Sequence, residues 1–237
     1  KKRQRLSVQT KIVLLTSLFL IAGGAFLFAF LEREALAASG SVSHRMLAPL
    51  FQSITCRTAG FNTVDITALT DATLAVILFL MFFGASPGSC GGGVKTTTLA
   101  LMAAFTAARI RGRHRVNFFK KSIPHETMTR SISLTLVSLA MIGIVLFMLL
   151  LGDSASGHAI TGCTKGAFLT YLFETVSAFG TVGLSVGATP ELDTWGKFWI
   201  IFMMIVGRVG VLAFSYIIVG HGMSKEVEYA EENIMIG

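Results

Sequence analysis

Charged side chains are scarce in this sequence. They make up 14% of the 237 residues, whereas soluble domains carry about 25%. The sequence has three cysteines, Cys56, Cys90 and Cys163, and their wide separation matches no metal-ligand spacing. A nucleophile paired with a base is also lacking, as is a cluster of metal-ligating residues. These absences argue against a soluble domain and against an enzyme.

Apolar residues and glycine dominate instead. Hydrophobic residues make up 53% of the chain, the mean hydropathy is +0.70 and glycines number 24; glycine is more frequent in membrane helices than in soluble ones. The net charge of +7 does not indicate nucleic acid, because the basic residues lie between apolar runs and have no aromatic residues interleaved. Composition therefore predicts a multi-pass protein of the cell membrane.

Five apolar segments have a helix-compatible composition, and the second and third belong to one interrupted span. They are Ile12–Phe30, Thr70–Phe83, Val94–Ile110, Ser131–Leu151 and a last span from Trp195 to about Val219. The basic cluster at residues 109–121 lies between two spans, so the positive-inside rule places it in the cytoplasm. Membrane lipid headgroups are its default partner, and a regulatory subunit is the alternative. The chain begins at Lys1 and its first apolar run is too long for a signal peptide, so we expect an N-terminal portion to be missing.

Two further apolar segments are too short to cross a bilayer. Ser43–Thr55 precedes the sequence Thr58–Asn62, which reads TAGFN, and Gly166–Phe179 precedes Gly180–Ser185, which reads GTVGLS. A short helix followed by a Thr-x-Gly turn is typical of a re-entrant pore loop, whose irregular backbone has to line a cavity. Potassium filters use such loops, because their carbonyl oxygens replace the hydration shell of the ion.

The two turns recur at a fixed spacing. Gly60 and Gly183 lie 123 positions apart (60 to 183), and so do the ends of Met81–Gly84 and Met204–Gly207 (84 to 207). Two matched blocks without an intervening insertion predict a repeat of roughly 120 residues. We expect an all-α membrane protein with two helix–pore loop–helix repeats, at residues 1–121 and 122–237.

The turns supply the candidate ion-binding atoms. The candidate filter residues are Thr58, Ala59, Gly60, Phe61, Thr181, Val182, Gly183 and Leu184, and K⁺ is expected at the carbonyls of Thr58, Ala59, Gly60, Thr181, Val182 and Gly183. Dehydrated coordination by such carbonyls gives potassium selectivity. Because Phe61 and Leu184 replace the tyrosine of a TVGYG filter, we expect weaker selectivity than in a tetrameric channel.

A glycine-rich stretch separates the second and third apolar segments. It comprises Gly84, Ala85, Ser86, Pro87, Gly88, Ser89, Cys90, Gly91, Gly92 and Gly93. Inside a helix, glycine costs about 1 kcal/mol and proline about 3 kcal/mol relative to alanine, which argues against a continuous helix. The spacing of Gly93 and Lys95 does not fit a Walker A motif. We expect one spanning element that is broken by an intramembrane loop below the filter.

Three charged residues lie within the apolar elements or beside them. Arg208 lies in the last span, where a charge is a functional-site candidate, and the repeat aligns it with Ala85, so its donors should meet loop carbonyls. A packing ion pair is the alternative for Arg208. We expect Arg57 to anchor the first pore loop, in a pair with Glu174. For Glu174, anchoring of the filter backbone is favoured over cation binding.

Together these motifs resemble the Ktr/Trk/HKT superfamily of potassium uptake proteins. The resemblance rests on Thr58–Asn62, Gly180–Ser185, the loop Gly84–Thr98 and the GRVG motif Gly207–Gly210, and it covers essentially the whole chain. The Ser-Pro pair of the loop and the ending EENIMIG are more similar to the Ktr pore subunit than to the Trk one. Cys90 departs from the pattern, since the family usually carries threonine there.

The resemblance implies four helix–pore–helix repeats around a pseudo-fourfold pore, of which this chain holds the third and fourth. It also implies a homodimer, a cytoplasmic nucleotide-binding ring subunit, a gating role for Gly84–Gly93 and a contact of Arg208 with that loop. The expected function is channel-like potassium uptake with no covalent cofactor, and Na⁺ is left open as a coupling or modulating ion. An ion-coupled secondary transporter with broken helices is the alternative.

Overall fold

A computed structural model describes residues 7–38, 42–112, 117–118, 121–156 and 165–210 of the chain. The helices are α1 (Val8–Leu31), α2 (Arg33–Ala38), α3 (Val42–Thr55), α4 (Asp71–Phe82), α5 (Thr96–Ile110), α6 (His125–Ser156), α7 (Ala167–Gly180) and α8 (Thr194–Val209). Two-residue strands β1 (Asn117–Phe118) and β2 (Lys121–Ser122) pair antiparallel, and 3-10 turns lie at Ile66–Ala68 and Thr189–Glu191. The predicted all-α class is confirmed for this part of the chain.

Several sequence predictions fall outside the described residues. The last span was expected to reach Val219, and its described part ends with α8 at Val209. The ending EENIMIG (residues 231–237), Cys163 and part of the basic cluster at residues 109–121 also lie outside.

Within the described residues, two helices are long and apolar enough to cross a membrane. They are α1 and the Glu126–Asp153 part of α6. The 24 residues of α1 extend about 36 Å at 1.5 Å per residue, and a bilayer core is about 30 Å thick. Side chains such as Phe19 on α1 and Leu136 on α6 are more than half exposed, at 75% and 61%. Length and exposed apolar surface together fit a lipid environment.

The two halves of the chain meet between α4 and α7. Helix α1 packs on α3, α4 and α5, and α7 packs on α8, α6 and α4. At the meeting point the rings of Phe82 and Phe179 stack with their centroids 5.9 Å apart. Fully buried Phe173, Met81 and Met203 belong to the same core. This packing brings the carboxyl end of α7 next to the break that follows α4.

The break itself is a loop closed at its base. The amide of Val94 donates to the Phe82 carbonyl at 3.0 Å, and the amide of Thr96 donates to the Ala85 carbonyl at 2.8 Å. Ala85 and Lys95 also form an isolated parallel bridge. The glycine-rich residues between them therefore leave and rejoin the helical path at nearly the same point.

Glu32 fastens the end of α1 to the start of α4. Its Oε1 atom accepts hydrogen bonds from the Thr70 amide at 2.8 Å, the Thr70 hydroxyl at 3.0 Å and the Thr73 hydroxyl at 2.6 Å. Burial raises the pKa of Glu32, but these hydrogen bonds outweigh burial and hold the pKa below its ordinary value. The ionised carboxylate thus stabilises the junction of the two helices.

Replacing Glu32 by glutamine should lower the melting temperature of the intact protein. The charge-assisted hydrogen bonds become neutral ones, with an expected loss of about 1 kcal/mol. Because the folded pKa is depressed, the stability from Glu32 is full above the ordinary pKa of about 4.3 and is lost as pH falls through the folded value. Thermal unfolding at neutral pH and at about pH 4 measures this, with the exposed Glu34→Gln as matched control. Equal melting temperatures of the two variants at neutral pH would contradict it.

Candidate functional site

The turns that follow α3 and α7 lie side by side. We call Thr58–Gly60 the first filter segment and Thr181–Gly183 the second filter segment. A Cβ atom built on Gly60 would overlap the carbonyl oxygen of Val182, and one built on Gly183 would lie 3.9 Å from Gly60 Cα. The structure thus brings the predicted filter residues of both halves together.

Each filter segment alternates in the sign of φ. Thr58 has φ 72° and Thr181 has φ 52°, and these are the two non-glycine residues with positive φ in the described part of the chain. Gly60 and Gly183 follow with φ of 76° and 89°. Positive φ is unfavourable for threonine and persists only where the surrounding structure holds it. Sequence reasoning predicted the glycines but missed the strained threonines.

Hydroxyl groups of α3 and α7 hold the residue that follows each segment. The Thr55 hydroxyl accepts from the Phe61 amide at 2.9 Å and donates to the Phe61 carbonyl at 2.7 Å. In the other half, the Ser177 hydroxyl donates to the Leu184 carbonyl at 2.6 Å. Phe61 and Leu184 were both predicted as filter residues, and their carbonyls are committed to the protein.

The carbonyls before these positions have no such partner. Among the described residues, no hydrogen-bond donor reaches the carbonyl oxygens of Thr58–Gly60 or Thr181–Gly183. A backbone carbonyl without a protein donor has to be satisfied by water or by an ion, so these six oxygens are open to either. The arrangement offers oxygen ligands on a backbone that is held in place from both ends.

Glu174 holds the second filter segment from the far side. Its carboxylate is buried and accepts from the Ser185 hydroxyl at 2.5 Å, the Val186 amide at 3.2 Å and the Thr189 hydroxyl at 2.7 Å. These contacts tie the chain that leaves the filter to the middle of α7. The geometry is that of the anchor that the sequence predicted.

The predicted pair of Arg57 with Glu174 is wrong. Arg57 donates from Nε to the Gly84 carbonyl at 3.0 Å and from Nη2 to the Ser17 hydroxyl at 3.0 Å. The helix break leaves the Gly84 carbonyl free next to Arg57, whereas the Glu174 carboxylate already has its donors from the other half. Arg57 therefore joins the first pore loop to α1 and to the start of the glycine-rich loop.

The glycine-rich loop presses against the first residue of both filter segments. The Gly92 amide donates to the Thr181 hydroxyl oxygen at 2.8 Å, and a Cβ on Gly91 would lie 3.0 Å from the Thr58 hydroxyl. A Cβ on the buried Gly92 would lie 2.7 Å from the Phe179 carbonyl oxygen. Only a residue without a side chain fits at this place.

Two cationic side chains hold the loop by its carbonyls. Arg208 donates from Nη1 to the Cys90 carbonyl at 2.9 Å, so the predicted contact of Arg208 with the loop is present. Lys95 donates from Nζ to the Gly91 carbonyl at 2.6 Å. Sequence reasoning missed Lys95 as a functional candidate, although a lysine two positions after a glycine run, inside an apolar segment, was a usable signal.

Comparison with known proteins identifies relatives of this chain. The chain matches the TrkH family model, described as a cation transport protein, over residues 3–224. It is 36% identical over 234 residues to Ktr system potassium uptake protein B of Vibrio alginolyticus, covering 98% of this chain and 49% of that protein. Ktr system potassium uptake protein D of Bacillus subtilis (strain 168) is 36% identical over 238 residues, covering 100% of this chain and 50% of that protein.

A third relative is the potassium/sodium uptake protein NtpJ of Enterococcus hirae. It is 33% identical over 238 residues, which cover 99% of this chain and 51% of that protein. The chain thus spans about half the length of these curated relatives. The resemblance drawn from the motifs is confirmed: the chain belongs to the TrkH family, a family of membrane cation transporters and not of enzymes.

Proposed function

We propose that this chain supplies half of a potassium pore, in which dehydrated K⁺ is coordinated by the carbonyl oxygens of the two filter segments. The observation that carries the proposal is the set of six filter carbonyls that no donor among the described residues reaches. Carbonyl oxygens in such loops replace the hydration shell of an ion. The names of the relatives, which are potassium uptake proteins, support K⁺ as the transported ion.

Contacts at repeat-related positions support two repeats, at residues 1–121 and 122–237. A Cβ on Gly84 would lie 3.4 Å from the Cys56 carbonyl oxygen, and a Cβ on Gly207 would lie 3.0 Å from Phe179 Cα. Gly84 and Gly207 are 123 positions apart (84 to 207), and so are Cys56 and Phe179 (56 to 179). Each glycine therefore packs on the carboxyl end of its own pore helix. Two more such repeats would complete a pseudo-fourfold pore.

The partners of the complete protein are part of the proposal. Names that refer to a Ktr system favour an assembly with further subunits, which agrees with a homodimer and a cytoplasmic nucleotide-binding ring subunit. The name of NtpJ favours Na⁺ as a second or modulating ion.

The glycine-rich loop Gly84–Gly93 is proposed as the gate of this pore. It lies against the first residues of both filter segments, where it blocks the path of an ion that leaves the filter. Arg208 is proposed as the latch, because its guanidinium joins α8 to the Cys90 carbonyl. Glycines give the loop many accessible conformations, so withdrawal is possible once the latch is released.

Loop deletion and Arg208→Ala should both raise K⁺ uptake. A hydrogen bond to a charged group contributes about 1.5–3 kcal/mol, so losing one that exists only in the closed state shifts the gate by about tenfold to a hundredfold. Uptake into K⁺-depleted cells, normalised to protein amount, is the measurement. Arg111→Ala, which removes an exposed arginine outside the loop, is the matched control.

The outcomes of this test separate gate from latch. A loop-deletion variant can fold and remain selective for K⁺ and yet show unchanged uptake or none. That result would mean that the loop is not the gate. Raised uptake in the deletion but not in Arg208→Ala would retain the gate and discard the latch. Absence of any K⁺ uptake by the unmodified protein would contradict the proposed function itself.

Orientation in the membrane can be tested with a single cysteine. We propose that residues 109–121 are cytoplasmic and that the end of α6 is external, by charge bias. A cysteine replacing Ser156, in an otherwise cysteine-free background, should react with an impermeant thiol reagent in intact cells. Reaction only after permeabilisation would invert the topology.

A secondary active transporter is the second candidate, because broken helices such as the α4–α5 element also line transporter sites. The two functions differ in energetics. A pore carries K⁺ only down its electrochemical gradient, whereas a coupled transporter accumulates K⁺ against it when a second ion gradient is imposed. Flux in proteoliposomes with defined gradients distinguishes them.

A further inference from the structure

The loop is tied to an ion-binding residue of the filter. The amide of Gly92 donates to the hydroxyl oxygen of Thr181 at 2.8 Å, and Thr181 is the first residue of the second filter segment. A threonine hydroxyl at the end of a carbonyl-lined path is itself an oxygen ligand for an alkali cation. The same oxygen therefore has two uses, as acceptor for the loop and as ligand for the ion.

Positive charge accompanies the loop at this contact. Arg208 donates to the Cys90 carbonyl at 2.9 Å and Lys95 donates to the Gly91 carbonyl at 2.6 Å. The next residue, Gly92, points its N–H at the filter. Two cationic side chains thus hold consecutive loop carbonyls, and the next residue aims the partial positive charge of its amide at Thr181. We call the loop seated when this amide is hydrogen-bonded to Thr181, and a K⁺ ion at the Thr181 hydroxyl oxygen would meet repulsion from the amide of the seated loop.

We propose that K⁺ at the inner end of the filter and the seated loop compete for the Thr181 hydroxyl oxygen, so that the permeant ion promotes opening of its own gate. The inference rests on the proposed function, since it requires K⁺ in this filter. Linkage makes the effect reciprocal: seating of the loop lowers K⁺ affinity by the same factor by which K⁺ lowers seating. Coupling of this kind is typically about 5- to 150-fold.

The other filter threonine provides an internal control. Thr58 has the same left-handed conformation as Thr181 and lies 123 positions before it (58 to 181). Within the described residues, however, no hydrogen bond joins the Thr58 hydroxyl to the loop; a Cβ on the neighbouring Gly91 would lie 3.0 Å from it. Removing either hydroxyl takes one oxygen from the filter, but only the loss at Thr181 frees the loop.

Hydrogen exchange of loop residues 84–95 tests the proposal in the intact protein. Exchange is followed by mass spectrometry in K⁺ and in N-methyl-D-glucamine at equal ionic strength, with melting temperature as an independent measure of K⁺ binding. In the unmodified protein, K⁺ should accelerate loop exchange by about fivefold or more. Thr181→Val should exchange fast in both solutions, and Thr181→Ser should retain acceleration by K⁺. Thr58→Val, which removes no hydrogen bond to the loop, should keep the slow loop exchange of the unmodified protein in N-methyl-D-glucamine.

Each other outcome overturns the proposal in a recognisable way. If K⁺ raises the melting temperature but leaves loop exchange unchanged or slows it, the competition is wrong while potassium binding stands. If Thr58→Val exchanges as fast as Thr181→Val in N-methyl-D-glucamine, the fast exchange comes from damage to the filter as a whole and not from loss of the loop contact. If K⁺ does not change the melting temperature and the protein takes up no K⁺, the proposed function fails and this inference fails with it.

Discussion

Replacing Gly60 by serine is expected to abolish most of the discrimination between K⁺ and Na⁺. Gly60 has φ 76°, a conformation that costs a residue with a side chain about 1–2 kcal/mol. Its new Cβ would also overlap the carbonyl oxygen of Val182, which is a proposed ligand of the ion. Both filter segments have to shift, so we expect the permeability ratio to fall by about tenfold or more, since 1.4 kcal/mol corresponds to a factor of ten. Reversal potentials in mixed K⁺ and Na⁺ solutions measure the ratio.

Serine substitutions at two other glycines serve as comparisons for Gly60→Ser. Gly183→Ser should have a milder effect, because its Cβ would lie 3.9 Å from the nearest contact, Gly60 Cα. Gly187→Ser is the matched control: Gly187 has φ 91°, but a Cβ there meets nothing within 4 Å. Backbone strain is then similar in all three variants and only the overlap with Val182 differs. A folded Gly60→Ser protein with unaltered selectivity would remove Gly60 from the filter.

Replacing Gly92 by alanine is expected to raise K⁺ flux strongly. The added Cβ would lie 2.7 Å from the Phe179 carbonyl oxygen, 2.8 Å from Thr181 Cγ2 and 2.9 Å from the Gly207 carbonyl oxygen. Gly92 does not have positive φ, so alanine adds no backbone strain and acts through this close approach alone. Overpacking of such a contact costs about 1–3 kcal/mol, which shifts the seated loop toward withdrawal by about five- to a hundredfold. Uptake by K⁺-depleted cells gives the readout.

Gly88→Ala is the control on the same loop. A Cβ on Gly88 meets nothing within 4 Å, and Gly88 is exposed, so the seating of the loop against the filter is preserved. Its φ of 81° adds strain inside the loop, and the expected change of flux is small. Equal K⁺ flux in Gly92→Ala and the unmodified protein would mean that the loop is not in its closed position when it contacts Thr181.

Much of the fold follows from apolar length and from helix breakers. The predicted pore helices Ser43–Thr55 and Gly166–Phe179 agree with α3 and α7 within one residue at each end. The break after α4 was predicted because glycine and proline are unfavourable inside a helix. Helix α6 is the main difference: it begins at His125 instead of Ser131, since a polar first turn continues a helix without changing the apolar pattern.

The contacts of the site were less predictable, because they depend on tertiary packing. Glu174 was predicted as an anchor of the filter backbone, but its donors Ser185, Val186 and Thr189 were not predicted. The predicted partner of Arg57 was wrong. Charge alone favoured a carboxylate, whereas the helix break places the Gly84 carbonyl within hydrogen-bond distance of Arg57. The positive φ of Thr58 and Thr181 has no sequence signal, because threonine is not a residue that normally adopts it. The partner of Arg57 and the conformation of the two threonines both depend on backbone atoms, which sequence patterns do not describe.

The closed base of the glycine-rich loop has a mechanical consequence. Hydrogen bonds from Val94 to Phe82 and from Thr96 to Ala85 fix α4 and α5 relative to each other whatever the residues between them do. Movement of the loop therefore requires no change in the spacing of α4 and α5, nor in the area that these two helices occupy in the bilayer. Membrane tension does work only through a change of area, so stretching the membrane should neither open nor close this pathway. Osmotic swelling of a cell would act on its potassium flux through the concentration of ions and not through lateral tension.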